Sequence, residues 1–233
     1  MKLLIVRHAE PDYALDSLTQ KGFREAQLLA DRLSRVEAES FFVSPLGRAQ
    51  RTAEATLSRI GRTAQVCDWL QEFPGRVTNE RGDSVIPWDF MPADWTKRAE
   101  LFDKDNWYNE PRMAAGNVRE KYFDIARGID SVLEGYGYTR DGMMYRTKKG
   151  RDDTLVFFCH LGSGFSILSH LLGISASVLW QGFFVAPSSI TTVTSEERIG
   201  GEVFWRVVAL GDTAHLYAAG EPWSRSGLFE EFR

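Results

Sequence analysis

Cysteine is scarce: this chain of 233 residues holds two, Cys67 and Cys159. Both lie in apolar or strand-like surroundings, so a disulfide framework is excluded and reduced core thiols are expected. Long apolar runs are missing as well. None approaches the roughly 20 residues that span a bilayer, and Met1-Lys2-Leu3 leads straight into a short strand rather than a secretory signal, which points to a cytoplasmic protein with no membrane partner. Charge of neither sign dominates. A formal net charge of −4, from 28 Lys and Arg against 32 Asp and Glu, gives no reason to expect nucleic acid, so any anion site must be local. Three chemical signatures are absent too. There is no Gly-x-x-x-x-Gly-Lys nucleotide loop, no His-x-x-x-His or His-x-Asp pair for a metallohydrolase, and five residues beyond Cys159 lead to Phe165 where a cysteine phosphatase needs Arg. No repeat, low-complexity tract or clear linker divides the chain, whose length suits one domain with an elaboration.

What is present begins with Lys2-Leu3-Leu4-Ile5-Val6, an apolar run of strand length that stops at Arg7-His8. Leu18-Thr19 opens a helix with Phe23, Ala26, Ala30 and Leu33 on one apolar face and Thr19 as N-cap. Phe41-Phe42-Val43 is a second short strand. Ser44 and Pro45 then read as the N-cap and first position of a helix that carries Arg48 in its first turn and ends at Gly61. A weaker strand, Ala64 to Cys67, leads into Trp69-Leu70-Gln71-Glu72-Phe73-Pro74-Gly75. Burial among these neighbours would raise the Glu72 carboxyl toward a general acid, and a solvated loop carboxylate is the open alternative.

From Arg76 to Gly150 the periodicity lapses and aromatics gather: Trp88, Phe90, Trp95, Phe102, Trp107 and Tyr108. This stretch reads as an inserted cap containing one amphipathic helix through Val118, Tyr122, Ile125, Ile129 and Val132. Within it, Trp88, Trp95 and Trp107 are candidates either for stacking on a substrate ring or for packing the cap. Thr154 to Cys159 is the strongest strand and ends at His160, before Leu161-Gly162-Ser163-Gly164 and a helix that Gly173 closes. Ile190 to Thr194 and Val203 to Leu210 flank a hairpin turn at Arg198 to Gly201, and a polar, loosely held tail follows Leu216.

Two of the four histidines, His8 and His160, close buried strands; Arg7 abuts one, and Arg48 begins the helix after another. In a parallel-rich sheet those strand ends share one edge, where α/β sheets bind ligands. Phosphate chemistry would use the set. Guanidiniums bind phosphoryl oxygens through paired charged hydrogen bonds, one neutral imidazole attacks phosphorus, a second stabilises the equatorial oxygens, and a carboxylic acid protonates the leaving alcohol.

Arg7-His8 with Leu18-Thr19-Gln20-Lys21-Gly22, then Ser44-Pro45-Leu46-Gly47-Arg48-Ala49-Gln50-Arg51-Thr52-Ala53, then Phe158-Cys159-His160 and Asp212-Thr213-Ala214-His215-Leu216, together resemble the histidine phosphatase superfamily, the phosphoglycerate mutase-like proteins. The blocks run in family order from residue 2 to about residue 217, leaving out the cap and tail. The resemblance implies a three-layer α/β/α fold with a mixed, mostly parallel central sheet, in one domain over residues 1–233 with the cap inserted at about 76–150. It also implies a ping-pong reaction through phosphohistidine that needs no metal and no cofactor. Matched block by block, His8 is the nucleophile, and Arg7, Arg48 and His160 form the phosphate pocket, His160 taking part in catalysis as well. Glu72 matches the proton donor, although Gly75 falls one place early. His170 is read as structural and His215 as supporting the site.

Ala9 and Leu161 stand where many members have Gly. The small polar residue common some six positions after the nucleophile has no clear counterpart, since Asp12 and Asp16 are poor anion ligands, which hints at a different substrate contact. The expected function is a metal-independent phosphatase of a small phosphorylated metabolite, with the cap selecting which one. A mutase-type phosphotransferase and a non-catalytic phosphate-binding module are the alternatives, and a homo-oligomer is left open.

Overall fold

The computed structural model describes residues 1–229. The chain opens with β1 (Lys2–Arg7), a ribbon of β2 (Pro11–Asp12) and β3 (Ser17–Leu18), α1 (Gln20–Leu33), β4 (Ser40–Val43), α2 (Gly47–Ile60) and β5 (Gln65–Val66). A second ribbon, β6 (Val77–Thr78) and β7 (Ser84–Val85), precedes short helices α3 (Pro92–Trp95) and α4 (Pro111–Ala115), the long α5 (Val118–Gly135), and the hairpin β8 (Tyr138–Asp141) and β9 (Met144–Thr147). The chain then runs through β10 (Thr154–Cys159), α6 (Leu161–Leu172), α7 (Ala176–Gly182), β11 (Ile190–Ile199), β12 (Glu202–Asp212) and α8 (Ala214–Ala218). Among the described residues no helix is long and apolar enough to cross a membrane.

Eight strands form one sheet in the order β5-β4-β10-β1-β11-β12-β9-β8. It is mixed, as expected, but parallel pairing is confined to β5-β4-β10-β1, and the other half is antiparallel. The cause is local: β8–β9 and β11–β12 are hairpins closed by turns holding Gly142 (φ 61°) and Gly201 (φ 83°), and such short connections join only antiparallel strands. The β8–β9 hairpin falls in the stretch where periodicity shows no strand. It lies at the sheet edge, where Thr139, Asp141 and Arg146 face solvent and only Tyr138, Tyr145 and Thr147 are buried.

Side chains alternate along each central strand and divide the core in two. Leu4, Val6, Phe41, Val43, Val156 and Phe158 pack against Leu29 and Leu33 of α1 and Ala49 and Ala53 of α2. Leu3, Ile5, Phe42, Leu155, Phe157 and Cys159 face Ile125, Ile129 and Leu133 of α5 and Phe165, Leu168 and Leu171 of α6. With roughly 1.5–3 kcal/mol for each large apolar side chain fully buried, these two interfaces fix the α/β/α layers. Much of the aromatic content of residues 76–150 belongs to the same core: Trp107 is fully buried and packs edge-on against Tyr122 (5.1 Å) and Trp180 (5.2 Å).

Two helix starts bear on the site. Thr19 caps α1, accepting from the Gly22 N–H at 3.0 Å, but Phe23 is 45% exposed; the buried stripe is Gly22, Ala26, Leu29, Ala30 and Leu33, one position away. Helix α2 begins at Gly47, with Leu46 in the cap position and not Ser44, whose hydroxyl is occupied elsewhere.

Helix α1 also grips the loop after β1. A Cβ at Gly22 would lie 2.1 Å from the Glu10 carbonyl oxygen, so only glycine permits this approach. The fully buried Glu25 accepts from the Glu10 N–H at 2.8 Å, while its other oxygen has no partner, and burial pushes its carboxyl from an ordinary 4.5 up to about 7. A folded-state pKa above the unfolded value means that this contribution to stability is complete below pH 4.5 and is lost as pH rises through about 7. Glu25→Gln should therefore match the parent near pH 4.5 and gain on it, by roughly 2–3 kcal/mol, near pH 8 in denaturant titrations. A difference that does not change with pH would show that Glu25 titrates alike in both states.

Candidate active site

Parallel register brings the site together. Arg7 is paired with Cys159, and Val43 with Phe158, so β1, β10 and β4 end level. The ladder continues one residue further: the His8 N–H donates to the Cys159 carbonyl at 2.9 Å and the Ser44 N–H to the Phe158 carbonyl at 2.9 Å. The rings of His8 and His160 consequently lie with centroids 5.0 Å apart, tilted by 57°, and both residues are 1% exposed.

The tautomer of His8 follows from its hydrogen bond. Its Nδ1 lies 2.8 Å from the Ala9 carbonyl oxygen, which can only accept, so Nδ1 carries the proton and the lone pair is on Nε2. Desolvation, then the nearby charges of Arg7 and Arg48, hold this imidazole neutral far below its usual titration range. His160 is kept neutral by burial and by the same neighbours. Its Nε2 pairs with the Ser44 hydroxyl at 2.8 Å, and its Nδ1 is buried without a partner.

The arginines are anchored at one end. Arg7 donates from its two terminal nitrogens to the carbonyls of Val185 (2.6 Å) and Ser226 (2.8 Å), leaving a buried, unpaired Nε. Desolvation draws its pKa down from an ordinary 12.5. Arg48, in the first turn of α2, donates to Asp16 at 2.6 Å, and its Nε is likewise buried and unpaired. Asp16 also accepts from the Gly47 N–H at 2.6 Å, a contact that requires glycine, since a Cβ at Gly47 would lie 2.1 Å from the Asp16 carbonyl oxygen. Two buried donors, Arg7 Nε and Arg48 Nε, thus lie near His8 with no protein acceptor, and the Nδ1 of the neighbouring His160 ring is also without a partner.

Glu72 joins them from an unexpected direction. The free N–H groups at the start of α6, expected to face a ligand anion, are taken by this carboxylate: its Oε1 accepts from Gly162 (2.9 Å) and Ser163 (3.3 Å), and from Phe73 (2.8 Å). Desolvation raises its pKa above the ordinary range, opposed by the Phe73 hydrogen bond and the charges of Arg7 and Arg48. All five predicted side chains, Arg7, His8, Arg48, Glu72 and His160, therefore belong to one cluster.

The other two histidines stand apart. His170 pairs with Asp130 (2.9 Å), which also accepts from Tyr145 (2.5 Å), tying α6 and α5 to the edge hairpin. His215 meets the Ser188 hydroxyl at 3.2 Å, and the Ser188 N–H donates to the His8 carbonyl at 3.0 Å, so it braces His8 through one intermediate residue. The tail is held more firmly than its polar sequence suggests, because Ser224 is buried and Ser226 accepts from Arg7. Ser44, Asp16 and Thr52, whose hydroxyl accepts from the Ala9 N–H at 3.0 Å, escaped sequence reasoning. Ser44 directly follows a strand that ends beside His160, and that position was the available signal. Among the described residues, no group of three or more His, Cys, Asp and Glu side chains is arranged to hold a metal ion.

Comparisons with known proteins agree with this architecture. A candidate phosphoserine phosphatase 2 of Hydrogenobacter thermophilus is 24% identical over 189 residues, covering 77% of this chain and 83% of that protein. The structure of a phosphoserine phosphatase from Entamoeba histolytica superposes with a TM-score of 0.61 at 16% identity, over 92% of this chain and 98% of that one. An alpha-ribazole phosphatase from Shigella flexneri gives 0.58 at 19% identity, over 91% and 96%. At such identities the structural likeness speaks to the fold. The sequence profile of the histidine phosphatase superfamily (branch 1) matches residues 3–208, nearly the whole of the chain, and the protein belongs to that family.

Proposed function

We propose that this protein is a metal-independent phosphatase that hydrolyses a small phosphomonoester through a phosphohistidine on His8. One observation carries it: His8, with its Nδ1 proton fixed on the Ala9 carbonyl and its ring held neutral, lies beside two arginines whose buried Nε–H groups have no protein acceptor. That is a nucleophile inside an anion pocket. The named relatives support the substrate class, since they include a phosphoserine phosphatase and an alpha-ribazole phosphatase.

In the first half-reaction the Nε2 lone pair forms a bond to phosphorus as the bond to the ester oxygen breaks, and Glu72 gives its proton to the departing alcohol. Arg7, Arg48 and His160 donate to the equatorial oxygens, where preorganised hydrogen bonds are strongest in a water-poor site. In the second half-reaction the Glu72 carboxylate takes a proton from water as its oxygen displaces His8 from phosphorus. Phosphate leaves and the starting protonation states return.

The two pKa shifts give the pH profile a shape. His8 stays unprotonated far below the usual range for imidazole, so the acid limb of kcat/KM should lie below pH 6.5. Glu72 must be protonated to act first, so activity should fall on the alkaline side as it ionises, and its raised pKa moves that limb upward. Glu72→Gln should remove the alkaline limb and slow alkyl phosphates by about 100-fold or more, while sparing 4-nitrophenyl phosphate, whose leaving group needs no proton. Equal loss on both substrates would assign Glu72 another role. His8→Ala and His8→Asn should lose turnover by at least roughly 1000-fold, and acid-labile, base-stable label from a radiolabelled phosphomonoester should appear on His8 of the parent. Label on serine or cysteine would overturn the mechanism. Phosphate release should be unchanged by prolonged treatment with a chelator.

A further inference from the structure

Resting on the phosphatase reading above, the aromatic residues at the mouth of the site define what the phosphate is attached to. A Cβ placed on Gly162 would lie 2.6 Å from Cη2 of Trp88 and 2.7 Å from Oε1 of Glu72. The six-membered end of the Trp88 indole and the carboxyl of the proposed proton donor therefore meet over the same backbone atom.

Trp88 is also the one tryptophan of its segment at this place. Trp107 is fully buried in the core, and Trp95 stacks on Phe102 at 5.5 Å. Trp88 is half-buried and held from behind: its ring lies 5.7 Å from that of Trp180, whose indole N–H donates to the Gly162 carbonyl at 3.0 Å. Gln181 fixes the preceding residue by donating to the Pro87 carbonyl at 3.1 Å. Trp88 is thus packed on the core on one side and reaches the proposed proton donor on another.

The two pocket arginines carry rings as well. Phe184 lies 5.3 Å from the Arg7 guanidinium carbon, and Tyr13, 64% exposed, lies 5.5 Å from that of Arg48. The pocket cations are already committed against a second negative charge on the substrate: Asp16 sits on Arg48, Arg7 gives its terminal nitrogens to the Val185 and Ser226 carbonyls, and what remains of both engages the phosphate. A further cation, Arg225, lies against Trp223, 5.6 Å from its ring centroid.

We infer that the site selects phosphomonoesters whose leaving alcohol is uncharged and bears an aromatic or similarly apolar ring, with Trp88 as the specificity-determining residue. Such a ring packs on the Trp88 face while its oxygen meets Glu72. A leaving group with its own carboxylate finds instead an apolar ring and an Arg48 already paired with Asp16.

The test compares esters of primary alcohols, so that intrinsic leaving ability changes little: ethyl phosphate, 2-phenylethyl phosphate and phosphoserine, with phosphate release giving kcat/KM. The expected order places 2-phenylethyl phosphate about tenfold or more above ethyl phosphate, and phosphoserine no better than ethyl phosphate. Trp88→Ala should cut the phenylethyl-to-ethyl ratio by roughly tenfold, and Trp88→Phe, which keeps a ring and guards against a folding defect, should retain most of it. Preferred turnover of phosphoserine, or a ratio that Trp88→Ala leaves intact, overturns the inference. 4-Nitrophenyl phosphate separates the two levels: hydrolysis of it without ring preference among the alkyl esters overturns only the leaving-group assignment, whereas no hydrolysis of any ester overturns the phosphatase reading itself.

Discussion

Three parallel strands that end at the same level are the constraint on which the rest of the molecule depends. Because Arg7 faces Cys159 and Val43 faces Phe158, the residues one step beyond, His8, His160 and Ser44, must share a small space. A parallel ladder is evenly spaced and buried on both faces, so slipping it by one residue would turn every side chain of the strand to the wrong layer. The same hydrophobic alternation that secures the core thus secures the 5.0 Å separation of the two imidazoles.

Placing two histidines and two arginines together in a desolvated pocket creates a charge problem that the surroundings answer in different ways. The histidines stay neutral. Arg7 directs its terminal nitrogens to backbone carbonyls, Arg48 leans on Asp16, and Glu72 rests on the N-terminus of α6. Arg7 and Arg48 each keep a buried Nε–H with no protein partner, so these two donors are held in place before any ligand arrives. Preorganisation of this kind lowers a barrier because nothing has to reorient as charge develops. Further support comes from α1 and α8: Gly22 and Glu25 of α1 hold the loop after His8, and His215 of α8 acts through Ser188 on the His8 carbonyl.

The aromatic stretch between residues 76 and 150 divides by burial. Trp107 and Tyr122 complete the core against Trp180, whereas Trp88 turns one edge toward Gly162 and Glu72. Composition cannot separate these uses, since a buried ring and a ring at a site mouth have the same sequence signature. Only the position of the chain relative to α6 distinguishes them.

The sequence by itself determined the central strands, the helices that cover them and five side chains that the fold gathers into one cluster, because buried strands are written as uninterrupted apolar runs and the histidines stand where two of those runs stop. Its weaker signals misled at particular points. Phe23 is apolar but off the buried stripe, Ser44 resembles a helix cap but serves His160, and the edge strands β8 and β9 carry too many exposed polar side chains to show alternation. Tertiary structure alone decided that Glu72, not a ligand, occupies the start of α6, that Asp16 belongs to Arg48, and that Ser226 reaches Arg7 from 219 residues away. All but the Asp16–Arg48 ion pair join segments distant in the chain through backbone N–H and carbonyl groups, which no sequence pattern marks.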